Sequence, residues 1–197
     1  MKQIVIICGP TAVGKTAVSI KLAQKLDTEI ISSDSMQIYK GMDVGTAKIR
    51  KDEMQGIRHY MIDIVEPCNE YSVSDYSNDA LKIIDVLFSK DKIPLIVGGT
   101  GLYINSLIYK MDFNSSKKND KIRNKYRKIF EEKGVDFLYD ILVSKNPKIA
   151  STIEKNNLKR VIRALEILDN SDEIRAFEDV KIFQDYKVNM YVLKIDR

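Results

Sequence analysis

Tryptophan is absent from this 197-residue sequence, histidine occurs once, cysteine twice and proline four times. The single histidine, His59, cannot assemble a zinc site with Cys8 and Cys68, which lie far apart and carry no CxxC spacing. The same scarcity excludes a disulfide framework and predicts reduced, structural thiols, with Cys8 at a buried strand end. No apolar run approaches the ~20 residues of a membrane span. The N-terminus passes from Met1-Lys2-Gln3 into a short apolar strand and a glycine loop, too short for a signal-peptide core. A cytoplasmic protein with no membrane partner is expected. Neither sign of charge dominates: the net formal charge is +4, with 44% hydrophobic and 30% charged residues, the balance of an ordinary soluble chain. The length predicts one domain, or one with a sizeable insertion.

What the sequence does contain is Gly9-Pro10-Thr11-Ala12-Val13-Gly14-Lys15-Thr16, which fits the phosphate-loop template G-x-x-x-x-G-K-[ST] at every fixed position. The glycines let backbone N–H groups converge on an anion, Lys15 adds a mobile positive charge, and the Thr16 hydroxyl suits a magnesium ion bridging phosphate oxygens. Context agrees on both sides. Ile4 to Cys8 reads as a buried parallel strand, and Lys15 to Leu26 as a helix with Val18, Leu22 and Leu26 inward, its positive end facing the same anion. The chain is therefore expected to bind a phosphate or pyrophosphate.

Further strands are predicted at 28–32, 59–65 and 94–97 and a last one at 188–195. The second ends in Ser32-Ser33-Asp34-Ser35, the kind of strand end at which parallel α/β proteins place ligands. Asp34 reads equally as a turn or capping aspartate and as a carboxylate aimed into the site. Ser72 and Asp75 have capping-box spacing ahead of a helix that runs to about Lys90, with Ala80, Ile83, Ile84 and Leu87 inward. The fourth strand ends at Gly98-Gly99-Thr100-Gly101, which permits close approach of a backbone or a ligand. From Phe113 the texture changes. A polar hinge at 114–120 leads to helical pieces at 120–133, 135–144 and 147–153, punctuated by Gly134 and Pro147, and then to an amphipathic helix from Asn157 to Leu168. Residues 1–112 carry 13 Lys/Arg against 14 Asp/Glu, whereas residues 113–197 carry 19 against 14. The basic half is compatible with nucleic acid, although composition alone leans toward a solvated helix face.

The ordered blocks GPTAVGKT (9–16), DSMQIYKGMDVGTAK (34–48), HYMIDIVEP (59–67), YSVSDY (71–76), PLIVGGTGLY (94–103) and NNLKRVIRALEI (156–167) resemble the tRNA dimethylallyltransferases, also called tRNA isopentenyltransferases, in their bacterial form. The resemblance implies transfer of a dimethylallyl group from dimethylallyl diphosphate to the exocyclic amine of the adenosine on the 3′ side of a tRNA anticodon. It implies that Gly9, Pro10, Thr11, Ala12, Val13, Gly14, Lys15 and Thr16 hold the leaving pyrophosphate, with Mg2+ on Thr16 as cofactor. Asp34 becomes the base or orienter of the amine, and Thr100 touches the same nucleotide. Asp34, Ser35, Met36, Gln37 and Thr100 meet the target region, and Arg123, Lys159, Arg160, Val161, Ile162 and Arg163 contact tRNA; spacing leaves open whether Arg160 and Arg163 face pyrophosphate instead. GTAKI stands for the usual GTAKP, and His59-Tyr60 for a common pair of histidines. Family members continue beyond the strand at 190–194 into further helices, so the catalytic parts are expected here without that C-terminal part.

The expected fold is an α/β, P-loop NTPase-like three-layer domain with a mainly parallel sheet and a helical insertion. Residues 1–112 form the catalytic core and 113–185 a tRNA-binding insertion whose helix 157–169 packs back on the core, while 186–197 return as a core strand of a monomer. The rival readings are an adenylate isopentenyltransferase, a small-molecule kinase on the same loop, and an inactive tRNA-binding fragment.

Overall fold

The computed structural model describes residues 2–109, 119–170 and 185–194. The chain divides into two compact units, Met1–Lys110 with Lys181–Arg197, and Met111–Val180. The first contains β1 (Gln3–Cys8), α1 (Lys15–Lys25), β2 (Ile30–Ser33), β3 (His59–Tyr60), α2 (Val73–Ser89), β4 (Leu95–Gly98), α3 (Gly101–Ile108) and β5 (Lys187–Val192). Its strands form one parallel sheet in the order β3-β2-β4-β1-β5.

Strand alternation explains the layers. Ile4 and Ile6 of β1, Ile31 of β2 and Ile96 of β4 face a core completed by Tyr76, Ile84 and Leu87 of α2 and by Ile104 and Leu107 of α3. Ile7, Ile30 and Leu95 point the other way, against Ala23 of α1. A sheet buried on both faces needs near-continuous apolar strands, which these are. The result is the expected three-layer α/β fold, with β5 returning beside β1.

Several local expectations are corrected. The inward face of α1 is Ser19, Ile20 and Ala23, whereas Val18 is exposed; the small side chains at 19 and 23 let the helix lie close to the sheet. The strand expected over 59–65 is a strand at His59–Tyr60, with a separate parallel bridge from Val65 to Tyr39, because Met61 and Asp63 between them take left-handed φ values of 63° and 55°. Cys8 is half-buried rather than buried, and both thiols are free. The capping box on α2 forms as expected: Asp75 N–H donates to Ser72 Oγ, and Ser72 N–H to Asp75 Oδ2 at 2.8 Å.

The second unit holds α4 (Asp120–Lys145), α5 (Pro147–Ala150) and α6 (Leu158–Asn170). Gly134 interrupts α4 at φ 79°, where the sequence places a break. Asn119 and Asn146 cap α4 and α5 through their side-chain oxygens, and Pro147 opens α5. The core of this unit joins Tyr126, Leu138, Leu142 and Ala150 to Val161, Ile162, Ala164 and Leu165 of α6. The buried residues of α6 thus lie in the helical unit's own core. Of the expected hinge at 114–120, residues 114–118 lie outside the described residues.

Candidate active site and helical basic surface

Register brings three strand ends into line. Cys8 pairs with Gly98, and Gly98 pairs with Ser33. The residues that follow these positions (Gly9, Gly99 and Asp34) therefore leave the sheet side by side at its C-terminal edge, where parallel α/β sheets hold ligands. Close approach is built in by absent side chains. A Cβ on Gly98 would sit 2.1 Å from the Ser33 carbonyl oxygen, and one on Gly9 would sit 2.6 Å from that of Leu193. The close approach foreseen at Gly98 is thus to backbone.

The phosphate loop turns through Gly9 (φ 150°), Ala12 (φ 64°) and Gly14 (φ 87°) into α1. This alternation around a helix N-terminus is how backbone N–H groups converge on an anion. Lys15 Nζ donates to the Gly9 and Pro10 carbonyls at 2.9 and 2.7 Å, so its ammonium already lies over the loop. Thr16 is exposed at the first turn of α1. Among the described residues no cluster of three or more His, Cys, Asp or Glu could hold a metal. A magnesium ion here would have to rest on the Thr16 hydroxyl, ligand oxygens and water, which suits its reluctance to dehydrate.

Asp34 takes up the turn-capping role its sequence allowed and leaves one carboxylate oxygen over. Its Oδ1 accepts from the backbone N–H groups of Met36 and Gln37 at 2.9 and 3.3 Å, a turn-capping arrangement. Its Oδ2 takes no hydrogen bond among the described residues. Thr100 fixes the same turn: its N–H donates to Ser33 O at 3.1 Å and its Oγ1 accepts from Ser35 N–H at 2.9 Å. The structure thus brings Asp34, Ser35 and Thr100 together. Beneath them Tyr103 stacks on Tyr76 with ring centroids 3.9 Å apart. Burial, with Tyr39, Asp75 and Asp34 nearby, pushes the Tyr103 hydroxyl up to about 12, so it stays protonated beside the aspartate. Gln37 lines a cavity of about 40 Å³ with Thr16, Ser32 and His59, while Met36 is 45% exposed. Burial holds His59 neutral, below its ordinary value, against the pull of the Ile57 carbonyl.

Residues 34–48 are held by a lysine that sequence reading passed over. Lys48, with its side chain only 4% exposed, bonds Asp43 Oδ1 at 2.8 Å, Asp63 Oδ1 at 2.5 Å and the Tyr39 carbonyl at 2.8 Å. Burial works against the ammonium, yet the two aspartates outweigh it and hold the group above the ordinary lysine value. Its only signal in the sequence was a position inside the GTAK block.

In the helical unit the expected nucleic-acid residues separate into three kinds. Lys159 and Arg160 are exposed on the first turn of α6, which Asn157 caps. Val161 is fully buried and Ile162 nearly so; neither offers a surface, and both serve packing. Arg123 and Arg163 are turned inward to Glu166, whose carboxylate is fully buried. Arg123 Nε donates to Glu166 Oε2 at 2.9 Å, Arg163 Nη1 to the same oxygen at 2.6 Å, and Asn119 N–H to Oε1 at 2.6 Å. Burial alone would raise the Glu166 carboxyl; the Asn119 N–H and the two guanidinium groups outweigh it and hold it below the usual range. An i,i+3 Arg-Glu pair on a helix is common, so nothing in the sequence marked this one as buried.

Comparison with known proteins completes the description. Residues 37–197 match the protein family described as IPP transferase. The tRNA dimethylallyltransferase of Clostridioides difficile strain 630 is 48% identical over all of this chain, which covers 64% of that protein. The enzyme of the same name from Thermoanaerobacter sp. strain X514 is 50% identical over 85% of this chain and 53% of its own length. Among solved structures, the tRNA isopentenylpyrophosphate transferase of Bacillus halodurans is 43% identical, with a TM-score of 0.58 over 87% of this chain and 56% of its own. A eukaryotic dimethylallyltransferase described as acting on tRNA is 34% identical, with a TM-score of 0.83 over 98% of this chain and 48% of its own. This chain therefore spans between about half and two thirds of the relatives it matches.

Proposed function

The chain belongs to the IPP transferase family, and from that premise we propose that it transfers a dimethylallyl group from dimethylallyl diphosphate to the N6 amine of the adenosine 3′-adjacent to a tRNA anticodon. One observation carries the reading: the phosphate loop and the Asp34–Thr100 pair emerge from adjacent, register-matched strand ends. A diphosphate leaving group and an amine nucleophile need that juxtaposition.

The chemistry follows from the residues. An adenine amine is a poor nucleophile because its lone pair is delocalised into the ring, so the allylic carbon must be made electrophilic. Loop N–H groups and Lys15 stabilise the charge that develops as the carbon–oxygen bond to diphosphate breaks and its electron pair departs. The amine lone pair forms the new carbon–nitrogen bond, and Asp34 Oδ2 accepts the proton released from nitrogen. Its Oδ1, already bonded to two backbone N–H groups, holds the carboxylate in place. Thr100 orients the turn that carries Asp34. Magnesium, held by Thr16, would neutralise further charge on the departing diphosphate. Ser35, Met36 and Gln37 face the base, and Lys159 and Arg160 meet RNA phosphates. The protein acts as a monomer in the cytoplasm.

The test is incubation of the chain with unmodified tRNA, dimethylallyl diphosphate and magnesium, followed by nucleoside mass spectrometry. An adenosine heavier by one isopentenyl unit is expected with tRNA and not with AMP. Product from AMP alone would make it an adenylate isopentenyltransferase. Phosphoryl transfer from ATP without any prenylated nucleoside would make it a kinase.

A further inference from the structure

Residues 36–40 are braced on two sides. On one side they run beside 63–65: Asp63 N–H donates to Gln37 O at 3.2 Å, Ile64 N–H to Ile38 O at 2.9 Å, and Lys40 N–H to Val65 O at 2.9 Å. On the other side the Gln37 side-chain amide donates to the carbonyls of Thr46 and Ala47, at 3.0 and 3.4 Å. Two carbonyl acceptors require the NH2 end of Gln37 to face them, so its Oε1 is directed away from the 46–47 turn. That turn is closed by local bonds: the Thr46 hydroxyl donates to Met42 O at 2.6 Å, Ala47 N–H to Val44 O at 3.4 Å and Lys48 N–H to Asp43 O at 3.2 Å. It lies beyond Gly41 and Val44, the latter 97% exposed, and contains Ala47 at φ 48°.

Among the described residues, Lys48 is the one side chain that ties both braces together. It follows the 46–47 turn directly, reaches Asp63 on one side and Asp43 on the other, and bonds Tyr39 O within the segment itself. We infer that Lys48 is a positioning residue for base recognition: its buried ammonium clamps the 39–48 loop onto residue 63 and so keeps the Thr46 and Ala47 carbonyls where they orient the Gln37 amide. This rests on the reading that Gln37 faces the target adenosine. A compact ammonium carries three donors on one nitrogen and so meets all three oxygen acceptors from a single point, whereas a thioether donates none.

The variant Lys48→Met keeps the stem and removes the charge. Asp43 and Asp63 are 63% and 48% exposed, so water can solvate them when the ammonium is gone and the fold is expected to persist. Two measurements decide the matter. In 15N-edited NMR spectra, the Gln37 side-chain NH2 pair should be dispersed in the wild type and collapse toward free-glutamine positions in Lys48→Met, with phosphate-loop glycine amides unmoved. Unchanged Gln37 resonances would overturn the inference. In steady-state kinetics with an anticodon stem-loop RNA, Lys48→Met and Gln37→Ala should each raise KM for RNA about tenfold, leaving KM for dimethylallyl diphosphate within about twofold. The double variant should be no worse than either single one, since both remove the same interaction. Multiplying effects, or an equal rise in both KM values, would sink the positioning role. A wild type that yields no product fails by itself, apart from the NMR result, and removes the base-recognition reading together with this role.

Discussion

The two units use charge in opposite ways. In the phosphate-loop unit, apolar strands carry the fold, and the residues assigned to chemistry sit at the sheet edge, half-buried or exposed. In the helical unit, much of the charge is structural. Glu166 is buried between Arg123 and Arg163, Asp169 binds Lys125 and Lys145, and Lys155 pairs with Asp136. Among the described residues of the helical unit, Arg123 and Arg163 are thus held by an internal carboxylate rather than presented to solvent. Lys121, Arg127, Lys128, Lys133, Lys148, Lys159 and Arg160 make no ion pair among the described residues and form its accessible positive surface. Counting charges measures a potential partner surface only after internal pairs are removed.

The comparison predicts that substitutions in the first unit change rate and those in the second change stability. The largest expected effect is on rate. Lys15→Ala should lower kcat about 10³-fold, or about 4 kcal/mol, with an unchanged melting temperature; wild-type turnover in the nucleoside assay would remove the leaving-group role. Next comes Glu166→Ala, which leaves two guanidinium groups facing an empty pocket and should cost the helical unit about 3 kcal/mol. Hydrogen exchange of α6 amides reads this directly, and protection equal to wild type would show that the network is dispensable. Asp34→Asn keeps the Oδ1 cap and removes the base. It should lower kcat about 10²-fold without loss of stability, whereas an effect confined to Asp34→Ala would make the residue only a cap.

Smaller effects sharpen the boundary inside α6. Arg160→Ala should weaken RNA binding by about 1 kcal/mol and shorten the salt dependence by roughly one counterion, with the melting temperature unmoved. Arg163→Ala should lower the melting temperature and leave the salt slope alone; the reverse pattern would put Arg163 on the RNA. Acid provides the mildest test. The folded-state Glu166 carboxyl is held below its usual 4.5, so its contribution is complete above that value and is lost as pH falls through the depressed one. Helical-unit amides should lose protection first on acidification, and Glu166→Gln should flatten that response.

How much of this was legible in the sequence depends on the range of the interaction concerned. The phosphate loop, the capping box at Ser72 and Asp75, the break at Gly134 and the parallel strands all follow from spacings of a few residues, and all are present. The short third strand was not, because left-handed φ values at Met61 and Asp63 leave no mark in hydropathy. The face of α1 was misread at Val18, which hydropathy favoured and which is exposed, whereas Leu22 packs against the core beside the small Ala23.

For the site the same line holds. The glycines, lysine and threonine of the loop were named from local pattern, whereas the roles of Asp34 and Thr100 came from the family resemblance. Whether Arg123 looks outward and whether Val161 has any surface are decided by partners far along the chain, and what Arg163 and Lys48 hold by which nearby charges the fold buries. The sequence by itself determined that a phosphate-loop turn would follow β1, because converging backbone N–H groups need only a short run of the right residues. Tertiary structure alone decided which charges remain available, because a charge is cancelled or exposed by whatever folds against it.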